Sequence, residues 1–374
     1  MINSPRPAPS HPALGRHSHF IALDGLRGVA AGCVFLFHGL ASPTLEWPMF
    51  NNGLLMVDLF FLLSGFVIAH AYERPLTEGM RFGDFAVRRF VRLYPMIFLG
   101  AALAGAVGIF DLYFRRNSPL AMSAGELATA VGLSFFLLPF TFGNPTREIF
   151  PTNTVLWSLM FETIINFVYA AFARHLTTPR LYIVVALSLA AIAMGGFGGG
   201  GTDNAWMGIP RVSAGFFGGV ILYRWWRNGA IRVPAMSFST ASLLLILVSL
   251  LPWPLPAAAF PPVFLLFSFI ILSTAGRQAG DVERRICVML GGLSYPLYVL
   301  HRPILSTVLS LARRVVGDGW PAVHLTVAVT LLICAILSHY VVRFYEGPTR
   351  RTLGKRLRIG RTDPQDPEIL QSSR

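Results

Sequence analysis

The chain is poor in charge. Asp, Glu, Lys and Arg make up only 13% of its 374 residues, about half the share of an ordinary soluble domain. With 54% hydrophobic residues and a mean hydropathy of +0.58, that scarcity excludes a well-solvated globular protein and points to the membrane class. No polar block is long enough for a separate soluble domain. Cysteine is scarce as well. Cys33, Cys287 and Cys334 lie far apart, in or beside apolar runs, without metal-ligand spacing or a disulfide framework, so no metal site is expected. Acidic residues number 18 against 31 Lys and Arg, for a net charge of +13. In a soluble protein that excess would raise nucleic acid as a partner. No nucleic-acid motif accompanies it, and no such partner is expected. The first 20 residues lack the apolar run and cleavage site of a signal peptide. Residues 1–20 are expected to be a disordered cytoplasmic tail, with the first apolar stretch as the insertion signal. Internal sequence repeats, which would favour a transporter, are absent.

What is present is a series of apolar stretches, at about 26–44, 53–72, 93–114, 124–142, 155–173, 181–199, 208–226, 237–256, 260–276, 287–311 and 322–343, each near the roughly 20 residues that a crossing needs. Basic residues collect in the links 73–92, 174–180, 224–232 and 277–285 and in the C-terminal tail. The positive-inside rule puts all of these in the cytoplasm. They reach one side together only if one early stretch does not cross, and 124–142 is the one whose removal restores the alternation. The expected fold is an all-α integral membrane protein with about ten transmembrane helices. Segment 124–142 is then a re-entrant or interfacial helix, and both termini are cytoplasmic. The membrane domain is placed at 21–348 and a basic, disordered cytoplasmic tail at 349–374.

Ionisable side chains inside apolar stretches are costly and usually functional. Arg27 and His38 in LRGVAAGCVFLFHGL are eleven residues apart. At helical pitch they point within about 20° of each other and stand roughly 16 Å apart along the axis. Arg27 then sits at the wet inner end and His38 deeper. Asp58, in VDLFFLLSGFVI, falls near the outer end of the next span and could meet His38, holding its tautomer as carboxylates do for imidazoles; the bland alternative is a helix-start residue at the interface. In RRFVRLYP, Arg89 and Arg92 are three apart at the inner mouth of the third span, and arginine forks suit phosphates. WSLMFETIINFVY puts Ser158, Glu162, Asn166 and Tyr169 on one stripe, and SYPLYVLHRPI does the same for Ser294, Tyr298 and His301. Each stripe could equally be interhelical hydrogen bonding.

In order, LDGLRGVAA with His38, VDLFFLLSGFVI, RRFVRLYP, WSLMFE, SYPLYVLHRPI and FYEGPTRR resemble the acyltransferase-3 family of membrane O-acyltransferases. Region 175–285 is generic by comparison. The resemblance implies a ten-helix enzyme that moves an acyl group, most often acetyl, from cytoplasmic acyl-CoA to a hydroxyl of a carbohydrate or related acceptor, as in surface-polysaccharide modification. It implies a bacterial inner-membrane location and acyl-CoA as co-substrate, with no tightly bound cofactor. Acyl transfer needs a base, an oxyanion site and a grip on the donor. The catalytic group is expected to be His38, as base or transient acyl carrier, with Asp58 and Glu162. Arg27, Arg89 and Arg92 are expected to hold acyl-CoA. Ser64, Trp157, Ser158, Tyr298, His301 and Glu346 are expected at the acceptor or in support. A transporter of a glycan or acyl precursor is the alternative that would use the same polar groups as a path.

Overall fold

Backbone groups cannot be left bare in lipid, so apolar stretches of this kind fold as helices. The computed structural model describes residues 20–41, 48–114, 122–251, 255–317 and 319–357. Both expected tails fall largely outside these residues. In chain order the helices are α1 (Ile21–Leu40), α2 (Met56–Glu78), α3 (Phe82–Phe114), α4 (Ala124–Phe135), α5 (Leu156–Phe172), α6 (Thr178–Gly195), α7 (Gly208–Asn228), α8 (Phe238–Leu250), α9 (Phe260–Ala275), α10 (Asp281–Val316), α11 (Trp320–Val341) and α12 (Gly347–Arg356). Extended pairing among the described residues is confined to an antiparallel bridge between Glu148 and Gly201.

Among the described residues, seven helical segments are long and apolar enough to cross a membrane. The expected count of about ten is met only in part. The stretch expected at 155–173 forms a helix of 17 residues and that at 237–256 one of 13. The stretch 287–311 lies inside the 36-residue α10, which carries charge at both ends. Segment 124–142 is helical only through Phe135. Its 12 residues rise about 18 Å, too short for a core of roughly 30 Å. Ser123 and Glu126 close a capping box at its start, and the backbone hydrogen bond from Ser123 holds the Glu126 carboxyl below its usual range.

One expected link and the expected C-terminal tail are shorter than the sequence suggested. The basic link 73–92 is largely helical: α2 runs to Glu78 and α3 starts at Phe82. Gly79, at φ +129°, makes the turn between them, so RRFVRLYP is helix rather than loop. The tail expected from 349 begins inside α12. A π-helical turn at Val342–Glu346 joins α11 to α12, and such turns often mark functional sites.

The most extensive pairings are α1 with α10 and α2 with α7. Small residues allow both backbones to come close. A Cβ on Gly28 would fall 2.5 Å from the Leu290 carbonyl oxygen, and one on Gly65 would fall 1.8 Å from that of Phe216. These two pairs carry Arg27, His38, Asp58, Ser64, Ser294, Tyr298 and His301.

Candidate functional site

A cavity of 1510 Å³ opens between α1, α2, α3, α5, α10 and the α11–α12 junction. Its wall holds Arg27, Arg88, Arg89, Arg92, Arg284, Arg285, Arg343, Arg350, Arg351 and Lys355 against Asp24, Glu162, Asp281 and Glu346. The cavity is therefore strongly cationic and suits a polyanionic ligand. The three arginines expected to hold a donor all line it, as do Glu162, Ser158, Tyr298 and Glu346. Arg92 and Arg27 are half-buried, whereas Arg89 is buried. Arg89 stands 3.6 Å from Glu162 Oε1, the oxygen that also accepts a 2.7 Å hydrogen bond from Ser64. Ser64 thus supports Glu162 from behind the wall. Glu346, presented by the π-turn, is buried and pairs with Arg350 at 2.5 Å.

The cavity ends at a polar stopper. Tyr298 Oη and Ser158 Oγ are 2.6 Å apart, and Ser158 also donates to the Val155 carbonyl. The Phe60 ring packs edge-on to Tyr298 with centroids 5.4 Å apart. One helical turn beyond Tyr298 lies His301, with ring centroids 6.1 Å apart. Its Nε2 is 3.2 Å from His38 Nδ1. His38 thus stands past the head of the cavity, not on its wall.

The partners fix the tautomers. His301 Nδ1 faces two carbonyl oxygens, Tyr298 O at 2.8 Å and Leu297 O at 3.1 Å. Carbonyls only accept, so Nδ1 carries the proton and Nε2 of the neutral ring is an acceptor. His38 Nδ1 faces that nitrogen and the Val34 carbonyl at 2.9 Å. It must therefore donate, leaving the lone pair on His38 Nε2. That nitrogen makes no hydrogen bond among the described residues. The arrangement is the logic of an oriented general base, with a histidine and two carbonyls in the place a carboxylate often takes.

The expected meeting of Asp58 with His38 does not occur. Asp58 is 2% exposed and accepts both prongs of Arg211, from Nε at 3.0 Å and Nη2 at 2.7 Å. Arg211 is itself 1% exposed. It donates from Nη1 to Gly198 O at 2.8 Å and lies between the rings of Trp157 and Phe197, at 5.1 and 5.5 Å. A carboxylate this deep needs a full countercharge, and an imidazole is a weaker one than a guanidinium. Trp157 therefore serves the Arg211 cage and the Gly-rich loop, whose Gly199 sits against its ring. Arg211 and the partnership of His301 with His38 were missed by sequence reasoning. Arg211 lies four residues inside the expected span 208–226, where a charge was itself the available signal.

An acyltransferase-3 family model, described as an acyltransferase domain, matches residues 20–339. Protein 2 in the picA locus of Rhizobium radiobacter is 39% identical over 177 residues, 45% of this chain and 90% of that protein. Exopolysaccharide production protein ExoZ of Rhizobium meliloti is 27% identical over 309 residues, 78% of this chain and 89% of the relative. Peptidoglycan O-acetyltransferase OatA of Listeria monocytogenes is 24% identical over 364 residues, 88% of this chain and 56% of the relative. The chain spans about half the length of this last relative. No solved structure matches.

Proposed function

The chain belongs to the acyltransferase-3 family and is an O-acyltransferase, and on that premise we propose that it moves an acyl group, acetyl first among candidates, from acyl-CoA to a hydroxyl of a carbohydrate chain. The observation that carries this reading is the oriented His38–His301 pair one turn beyond the head of the cationic cavity. CoA is a polyphosphate on a long thin arm. The arginines suit its phosphates. From Arg285 to Tyr298 α10 rises about 20 Å, a span comparable with an extended pantetheine arm. The donor enters from the cytoplasm, with the cavity mouth on that side of a bacterial inner membrane. Movement at the Tyr298–Ser158 contact brings the thioester to His38.

The acceptor hydroxyl then gives its proton to His38 Nε2 as its oxygen bonds to the acyl carbon. The C–S bond breaks, CoA leaves as the thiolate, and the imidazolium returns the proton to the sulfur. His301 accepts from His38 Nδ1–H throughout and holds the ring in place. The acceptor class follows the relatives, one named for exopolysaccharide production and one for peptidoglycan O-acetylation.

The test is transfer of label from radiolabelled acetyl-CoA by the purified full chain in nanodiscs. His38→Ala is expected to lower transfer by about 10²–10⁴-fold. An unaltered rate in that variant removes His38 as the base.

A further inference from the structure

On the side of the histidine pair away from the cavity, a second charged pair remains outside the mechanism above. Arg302 follows His301 in α10. Its Nε donates to Thr154 Oγ1 at 3.1 Å, and its terminal nitrogens make no hydrogen bond or ion pair among the described residues. Glu148 lies near enough for the two charges to act on each other, yet they do not close into an ion pair. Arg302 also acts electrostatically on both His38 and His301. Arg302, Glu148, Thr154 and His38 are each half-buried, so the corner they form is reachable, while His301 behind them is closed off.

The corner is built rather than incidental. Glu148 belongs to the bridge with Gly201. Its carbonyl accepts from Asn144 Nδ2 at 2.8 Å, and its amide donates to Thr146 Oγ1 at 3.2 Å. The next amide, of Ile149, donates to Gly200 O at 2.9 Å. Thr154 leads directly into α5. Beside it Asn153 Nδ2 is tied to Val299 O at 3.0 Å, in the turn of α10 that carries His301. Thr152 Oγ1 and Asn153 Oδ1 are buried there without a hydrogen-bond partner. Burial raises the Glu148 carboxyl above its usual range, an effect that the Arg302 guanidinium opposes.

We propose that Arg302 and Glu148 form the acceptor subsite, and that they select a neutral sugar presenting two adjacent hydroxyls beside His38. This inference rests on the acyltransferase reading above. A guanidinium only donates and a carboxylate only accepts. A vicinal diol satisfies both: one hydroxyl oxygen accepts from Arg302, and the neighbouring O–H donates to Glu148. The hydroxyl next to this clamp is then delivered to His38 Nε2. A uronate fits less well, because its carboxylate would meet Glu148 as well as Arg302. Thr154 keeps the guanidinium plane fixed, as such forks require.

The experiment supplies the full chain in nanodiscs with radiolabelled acetyl-CoA and two pools of acceptor. One pool holds neutral oligomers of glucose, galactose and N-acetylglucosamine; the other holds oligogalacturonates. Label is expected on the neutral pool. In Arg302→Gln the KM for that pool rises about tenfold, the loss of roughly one good polar contact, while kcat falls less than threefold; Arg302→Lys recovers part of the loss. Glu148→Gln shifts preference toward the uronates. Acetyl-CoA affinity measured by calorimetry shows that each variant has folded. Preferential labelling of uronates, label on neither pool despite acetyl-CoA cleavage, or an unmoved acceptor KM in Arg302→Gln overturns the proposal. An absence of any acetyl-CoA cleavage by the wild type instead defeats the acyltransferase mechanism, and the subsite with it.

Discussion

At one end of the α1–α10 pair, arginines and a lysine from four helices and the π-turn share one wide cavity. At the other end, one imidazole is held by another, and one aspartate by one arginine. The cationic end is redundant: all its cations but the buried Arg89 are half-buried or exposed, and each contributes a part of a summed field. The far end is singular. Arg211 and Asp58 are 1% and 2% exposed, and neither has a substitute. Under the proposed function the difference has a reason: a flexible polyphosphate can be held by many loosely placed charges, whereas a proton transfer needs one nitrogen in one orientation. Substitutions should therefore be severe at the singular end and mild at the redundant one.

The largest effect is expected at Arg211, where the contrast is sharpest. Arg211→Ala leaves the Asp58 carboxylate buried without its countercharge and should cost about 3–5 kcal/mol. It also releases the Gly198 carbonyl and the two flanking rings. Thermal unfolding in nanodiscs should show a clearly lowered midpoint. Removing both charges, as Asp58→Leu with Arg211→Met, should recover most of it, because two apolar groups do not need each other. A single Arg211→Ala protein as stable as the wild type would show that the far end is not singular.

Next in size is His301. It is fully buried and touches His38, so its expected role is to position the base. His301→Gln should lower transfer by about 10²-fold, with acetyl-CoA affinity held within twofold. A merely structural role would instead lower the unfolding midpoint and leave turnover per folded molecule unchanged. Radiolabel transfer and calorimetry on the same preparation distinguish the two.

The two ends also differ in how far the sequence disclosed them. Arg27, Arg89 and Arg92 all line the cavity, and each was legible because helical spacing gives a side chain's azimuth. The same arithmetic could not name neighbours. It put Asp58 near the correct end and attached it to His38, but its partner is on α7, 153 residues away in sequence. A stripe on one helix says which way a side chain points, not which of several helices it meets. Arg211 escaped because it sits in a stretch read as a generic span. The tautomer chain from the Tyr298 carbonyl through His301 to His38 depends on backbone oxygens, which leave no trace in residue types. Helix lengths were misread where amphipathic ends extended them, as at α3, and where a proline-rich stretch follows, as at α8.

The smallest effect is expected at Arg92, and it tests the other half of the comparison. Arg92 is one of ten cations on the cavity wall and is half-buried. A charge a few ångströms from a phosphate at a wet protein surface contributes about 1 kcal/mol, so Arg92→Ala should weaken acetyl-CoA affinity by about fivefold. kcat should hold, since the thioester still reaches His38. The effect should also shrink with salt, because screening already weakens the summed field at a Debye length of about 8 Å. Arg89→Ala should be worse than Arg92→Ala at any ionic strength, since Arg89 is buried against Glu162 and its removal leaves that carboxylate with only Ser64. Calorimetry at two salt concentrations measures the affinities, and radiolabel transfer measures kcat. Were Arg92→Ala to abolish binding outright, the cavity would have to be read as a dedicated clamp of single contacts, and the two ends of the molecule would follow the same rule.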